Sequence, residues 1–202
     1  MKFVITGGPS VGKTTIVNGL QDLNGSGCGF KVVQEIATAV IKEGKILPWV
    51  DRQKFQAEVL RRQLSAEASN LDFDCPLILD RGLFDGEAYY IYDKLPIPPA
   101  FSTLDASQYA IAFLIEPLDF FEETDVRREN LKFTREISVI LEHCYASRNV
   151  KVVRIPAAPP KERIDMVRSI IDEYQRTRAR SVEQAVHQAA HMFYHNGAPA
   201  LI

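Results

Sequence analysis

The chain has 202 residues, 46% of them hydrophobic and 25% charged, the mix of a folded domain with one sizeable core. A formal net charge of −2 excludes global attraction to nucleic acid or anionic membrane, so any polyanion site must be a local patch. Three scattered cysteines, Cys28, Cys75 and Cys144, lack metal-ligand spacing and point to free thiols in a reducing cytoplasm. The longest apolar stretch, Tyr109–Ile115, is too short to span a bilayer.

Lys2–Thr6 (KFVIT) reads as a short buried strand, and residues 7–15 (GGPSVGKTT) follow it directly. The pattern Gly7-x4-Gly12-Lys13-Thr14, set between a strand and a helix, is a complete Walker A phosphate loop. Glycines let backbone N–H groups close on phosphate oxygens, so Gly8, Pro9, Ser10, Val11, Gly12, Lys13, Thr14 and Thr15 are the expected cradle for a nucleoside triphosphate. Lys13 supplies a point charge for the outer phosphates, and the Thr14 hydroxyl is placed to ligate Mg²⁺. A helix over 14–23 turns its positive dipole end to the same anion.

Beyond a glycine-rich turn, residues 30–34 (FKVVQ) form the second expected strand, and a helix over Ile36–Glu43 stops at Gly44. Asp51 caps a long helix to about residue 70, with Phe55, Val59 and Leu64 on its inner side. Strand three is Leu77–Asp80, followed by a helix over Leu83–Tyr92 and the proline-rich PIPPA. Tyr109–Ile115 (YAIAFLI) is an unbroken apolar run, as a strand buried on both faces requires. A helix over 131–147, strand five over 150–155, and a last helix opened by Pro159-Pro160 and reaching Arg180 or beyond complete the chain. Five apolar strands separated by helices imply a parallel sheet covered on both faces. The expected division is a nucleotide-binding domain over 1–180 and a helical tail over 181–202.

Neither the G-x-G-x-x-G dinucleotide fingerprint nor the guanine-reading Asn-Lys-x-Asp occurs. Asp80 ends its strand as a metal-side carboxylate does, but Arg81 and Gly82 follow it in place of a water-polarising glutamate. A cation there suits a second anionic or polar substrate better than hydrolysis. Several features occur together: GGPSVGKTT, Glu35 after strand two, FQAEVLRRQLSAE over 55–67, Asp80-Arg81-Gly82 with Asp85 and Tyr89 behind it, and Val126-Arg127 before a helix. Over roughly residues 1–171 this pattern resembles the NadR/Ttd14-type AAA domain, a P-loop group that includes a ribosylnicotinamide kinase domain. The resemblance implies a P-loop NTPase three-layer α/β/α sandwich, a five-stranded parallel sheet ordered 2-3-1-4-5, a helical lid, and ATP or GTP with Mg²⁺ as cofactors. The group holds both a kinase and nucleotide-binding regulators. This chain departs from it at Thr38, where relatives often carry arginine, and at Thr124-Asp125, where lids commonly read Asp-Gly.

In the kinase reading Glu35 takes or fixes the proton of the acceptor hydroxyl; otherwise it is a helix-starting acid. Asp80 serves Mg²⁺, and Arg81 either orients the acceptor or pairs with Asp80. Asp85 reads a sugar hydroxyl or caps a helix. A charged loop over 122–130 closes on the phosphates with Arg127 or Arg128, and Arg135 is a further lid cation. Arg163, after AAPP, falls where relatives hold adenine, which leaves ATP against GTP open. Trp49 stacks on a flat ring or packs in the core. His187, His191 and His195 make one helical ridge, read as a solvated face ahead of a metal site, and Arg176, Arg178 and Arg180 read as surface. The expected protein is a kinase for a nucleoside, nucleotide or pyridine riboside, with no nucleic acid and no integral membrane association. The alternatives are a nucleotide-dependent switch for a protein or lipid partner, and a slow NTPase.

Overall fold

Five parallel strands form one sheet in the order β2-β3-β1-β4-β5, as expected from the sequence. The structure, a computed structural model, describes residues 1–23, 29–70, 75–118 and 125–195, and side chains in these ranges except at 125–130 and 190–195. In chain order the elements are β1 (Lys2–Thr6), α1 (Lys13–Asp22), β2 (Lys31–Val33), α2 (Ile36–Glu43), α3 (Arg52–Ser69), β3 (Leu77–Asp80) and α4 (Leu83–Tyr92). After these come α5 (Ala100–Thr103), a 3₁₀ turn (Ala106–Gln108), β4 (Tyr109–Ile115), α6 (Asp125–Ala146), β5 (Lys151–Ile155) and α7 (Pro160–His195).

Apolar runs without alternation dictate where the strands go. Phe3, Val4 and Ile5 of β1 are wholly buried, as are Ile78 and Leu79 of β3 and Ile111, Ala112 and Phe113 of β4. A strand covered on both faces needs that composition, and each such large side chain contributes about 1.5–3 kcal/mol. Val4, Leu79 and Leu114 share one cluster with Phe84 of α4 and Ile137, Leu141 and Tyr145 of α6. Phe84 meets Tyr109 at 5.2 Å and the edge of Tyr145 at 5.6 Å. The parallel register sets Val33 beside Leu79 and Ile5 beside Asp80, so the loops leaving β1, β2 and β3 converge at one carboxyl edge.

Helix ends follow the expected chemistry. Asp51 caps α3 by accepting from the Lys54 N–H at 3.0 Å, and Gly44 ends α2 with a left-handed φ of 70°. One boundary differs: α6 begins at Asp125, inside the segment read as a charged loop. Arginine and glutamate are good helix formers, so a charge run there is no loop signal.

Two compact units divide the chain, Met1–Ile164 and Asp165–Ile202. The second is helical to His195, with Arg168 bonded to Asp172 at 2.9 Å and with Arg176, Arg178, Arg180 and His187 exposed. The side chains of His191 and His195 lie outside the described residues, and no group of three or more metal-ligating His, Cys, Asp or Glu side chains occurs among those described. No helix of the described residues is long and apolar enough to cross a membrane. Cys144 is a free, buried thiol, whereas Cys75 is disulfide-bonded, against the expectation that all three cysteines are free.

Candidate active site

The loop after β1 is shaped by backbone torsions that suit glycine. Gly7 adopts φ 139° and Gly12 caps α1 at φ 94°, with Ser10 at φ 59° between them. Gly8 is required for a further reason, because a Cβ there would lie 2.5 Å from Thr134 Cγ2 and 2.9 Å from the Thr134 Cα. Helix α6 therefore seats directly on the loop. A cavity of about 420 Å³ opens above it, lined by Pro9, Ser10, Gly12, Lys13, Thr14 and Thr15 together with Glu35 and Arg81. Val11 of the same loop is buried.

Lys13 is only 6% exposed, and its ammonium donates to the Gly8 carbonyl at 2.6 Å. Burial first, then the Arg81 charge, push this amine down to about 7 against the pull of Glu35, Asp80 and Asp85. An incoming polyanion would reverse that balance. Beside it the Thr14 hydroxyl donates to Asp80 Oδ2 at 2.6 Å. Asp80 has no exposed surface, and its Oδ1 is buried without a partner among the described residues. Burial raises this carboxyl above its usual value, opposed by the Thr14 hydrogen bond, and nearby Glu35 adds to the rise. A hydroxyl and a carboxylate with one unused oxygen, beside a phosphate cradle, suit a hard divalent cation that takes its other ligands from phosphate and water.

Arg81 turns away from Asp80. Its backbone is left-handed, at φ 71°, and its Nε donates to Glu35 Oε1 at 2.6 Å while Nη1 reaches the Gly7 carbonyl at 3.2 Å. Asp85 stands 3.5 Å away, and the Tyr89 ring lies 5.3 Å below the guanidinium. Of the two roles expected for Arg81, the pair with Asp80 is not the one formed: Arg81 pairs with Glu35. Glu35 keeps its predicted place, between β2 and α2, and Thr38 donates to its other oxygen at 2.5 Å. Burial alone would raise the Glu35 carboxyl, but the Arg81 charge and the bonds from Thr38 and Arg81 outweigh it and hold it below its ordinary value of 4.5. A carboxyl depressed on folding stabilises the fold above its unfolded value, and that contribution is lost as pH falls through the folded value. Acid unfolding followed by circular dichroism should therefore lose part of its slope below about pH 4.5 in Glu35→Gln.

A second polar group positions Arg81 from behind. Glu67 of α3 is buried, accepting from Lys2 Nζ at 2.9 Å, Tyr109 Oη at 2.6 Å, Gln63 Nε2 at 2.9 Å and the Leu83 N–H at 3.1 Å. The same Gln63 amide reaches the Arg81 carbonyl at 3.1 Å, so α3 pins the turn that carries Arg81. Sequence reasoning missed Gln63 and Glu67. Their spacing, with Gln56 and Leu60, puts all four on one helical face. Glu67→Ala leaves the Lys2 ammonium buried and unpaired, and denaturant unfolding should show a loss of about 3–5 kcal/mol. Adding Lys2→Met should recover part of it.

Other expected site residues take different places. Asp85 accepts from Thr6 Oγ1 at 2.7 Å, Tyr145 Oη at 2.6 Å and the Gly82 N–H at 3.0 Å, so the expected capping role is realised. Arg163 is 2% exposed and donates to the carbonyls of Pro156 at 3.0 Å, Val11 at 2.8 Å and Glu116 at 2.8 Å. It braces the loop from beneath and presents no open face to a base. Trp49 is not in the core but stands 70% exposed in the connection between α2 and α3. Arg127 and Arg128 belong to the first turns of α6, and their side chains lie outside the described residues. Arg135 is exposed on the same helix.

Next to the phosphate cavity lies another, of about 190 Å³, walled by apolar side chains including Phe55, Val59 and Leu83 and also lined by Glu35 and Arg81.

No curated protein matches the sequence. Among solved structures, deoxyadenosine kinase from M. mycoides with products dCMP and a flexible dCDP bound aligns at TM-score 0.56 and 15% identity, covering 86% of this chain and 99% of that one. The same enzyme with bound dATP aligns at TM-score 0.51 and 15% identity over 85% and 100% of the two chains. Shikimate kinase from Aquifex aeolicus aligns at TM-score 0.48 and 14% identity over 86% and 97%. Over residues 2–163 the sequence matches the AAA domain family, and the chain, with its P-loop kinase-like fold, belongs to that family.

Proposed function

We propose that the protein is a Mg²⁺-dependent phosphotransferase that moves the γ-phosphate of ATP or GTP to a nucleoside, nucleotide or pyridine riboside. The observation that carries this reading is the junction of the two cavities: the polar one over the Walker A loop and the apolar one beside α3 share Glu35 and Arg81. An enzyme that only hydrolyses its nucleotide has no need of a second cavity there. The deoxyadenosine kinases that share this fold act on a nucleoside, which supports the choice of acceptor class.

The loop N–H groups and Lys13 would hold the outer phosphates, and Thr14 and Asp80 would hold Mg²⁺, which would neutralise phosphate charge. Arg81 stands between donor and acceptor, where it would bind equatorial oxygens of the transferring group or the acceptor. Glu35 fixes the attacking hydroxyl through the lone pairs that Arg81 and Thr38 leave open. Because the transition state is loose, orientation counts for more than basicity, so a depressed carboxyl suffices. Arg127 and Arg128, near the start of α6, are proposed as lid cations, and the tail over 181–202 as an appendage to the catalytic domain over 1–180.

A second reading, a nucleotide-bound switch with little turnover that signals to a protein partner, is favoured by Glu35 itself, already engaged on both oxygens. Incubation with Mg-ATP or Mg-GTP and a panel of nucleosides, nucleotides and pyridine ribosides, read by mass spectrometry, tests the proposal. A phosphorylated acceptor is expected. Free phosphate alone, or unchanged nucleotide with tight binding, would replace it by the NTPase or the switch.

A further inference from the structure

Three arginines of α7 stand outside the site. Arg176, Arg178 and Arg180 alternate with Thr177, Ala179 and Ser181, and the stretch 174–182 (YQRTRARSV) contains no acid. A two-residue spacing is the repeat of an extended chain, which carries all three cations on one side and the small residues on the other. A helix splits them: Arg176 and Arg180 share a side, one turn apart, and Arg178 falls on the opposite one. The helical form also gains little from packing here. Every residue from 176 to 189 is exposed, and like charges four places apart disfavour the turn between Arg176 and Arg180. A helix exposed on every face is marginal in water, so opening this turn costs little.

We propose that Ser181 is a phosphorylation site, modified by a basophilic protein kinase that takes residues 176–182 as an extended strand. Such a kinase lines its substrate groove with carboxylates, and Arg180, Arg178 and Arg176, one, three and five places ahead of the hydroxyl, face that groove together. In the extended form successive cations stand about 7 Å apart, so each meets its own carboxylate. Ser181 is exposed, and its hydroxyl donates to the Thr177 carbonyl at 3.1 Å, a local bond that is given up as the turn opens. Thr177 is the poorer target, because Asp172 and Glu173 precede it where an acidic groove repels them. In the reaction Ser181 Oγ bonds to the γ-phosphorus of the ATP held by the kinase, and the bond to the β–γ bridging oxygen breaks. ADP leaves, and the hydroxyl proton passes to the carboxylate base of the kinase. The phosphate brings about −1.5 to −2 charges to within one helical turn of Arg178, which offsets most of the basic patch.

Incubation of the full chain with Mg-ATP and active protein kinase B, a basophilic serine kinase, tests the assignment independently of any activity of the chain itself. Tandem mass spectrometry should place one phosphoryl group on Ser181, above a control that lacks the added kinase. An acidophilic casein kinase should leave Ser181 unmodified, and Ser181→Ala should abolish the incorporation by protein kinase B. Arg178→Gln keeps the hydroxyl and a good helix former, and should lower kcat/KM for the modification by about 10-fold or more. These side chains are exposed, so both variants should melt with the wild type. A Ser181 left unmodified by protein kinase B, a phosphate that survives Ser181→Ala, equal modification by the acidophilic kinase, or an unchanged kcat/KM in Arg178→Gln would overturn the proposal.

Discussion

Replacing Glu35 by glutamine lowers phosphoryl transfer by about 10²–10⁴-fold and leaves the affinity for Mg-nucleotide within about threefold. The separation follows from where the residue stands. Glu35 lies at the edge of the phosphate cavity, across from Lys13 and Thr14, and faces the second cavity as well. Glutamine keeps the size and can still accept from Thr38 or Arg81, so neither α2 nor the loop need move. What it loses is the charge proposed to hold an acceptor hydroxyl in line, and the nearest counter-ion of Arg81, bonded at 2.6 Å. Arg81 retains the Gly7 carbonyl and Asp85, which limits the damage to the donor side. Single-turnover transfer and a fluorescent-nucleotide titration on the same variant give the two numbers. Transfer within twofold of the wild type would remove Glu35 from the reaction.

How much of this site could be seen in the sequence depends on how local each relation is. The phosphate loop is legible because strand, glycine turn, lysine and threonine are contiguous, and Asp80 because it closes an apolar strand. The sheet is legible because strands buried on both faces must be apolar throughout. Partnerships are not legible in the same way. Arg81 meets Glu35 across 46 residues and Arg163 meets Val11 across 152, so a bracing arginine and a ligand-binding arginine look alike until the chain is folded. Helix α3 misleads for another reason. Gln56, Gln63 and Glu67 form a buried polar face, while a reading by hydrophobicity takes Phe55, Val59 and Leu64 as the inner side. Polar residues on a core-facing stripe violate the usual pattern, and here two of them fix the turn after β3 and the third faces a cavity. The start of α6 was hidden because charge argues for exposure, not against a helix.

Substituting methionine for Lys13 should move two observables in opposite directions. The lysine ammonium is buried beside the Arg81 charge, which its carboxylate neighbours only partly offset, and its one hydrogen bond goes to a loop carbonyl. A nonpolar side chain of similar length removes the desolvated charge that burial and Arg81 disfavour, so the nucleotide-free protein should melt higher. For a domain of this size each kcal/mol raises the melting temperature by about 2–4 °C. The same change deletes the cation proposed to meet the outer phosphates. Losing one partner of a buried charge pair costs about 2–5 kcal/mol, which weakens nucleotide binding by roughly 30- to several thousand-fold. At a nucleotide concentration that stabilises the wild type by about 2.7 kcal/mol, the variant should show at most about a third of that shift. Thermal melts with and without Mg-nucleotide read both effects in one experiment. A variant that is less stable when free, or that keeps the nucleotide-induced shift, would mean that this lysine is a structural tether of the loop and not its anion receptor.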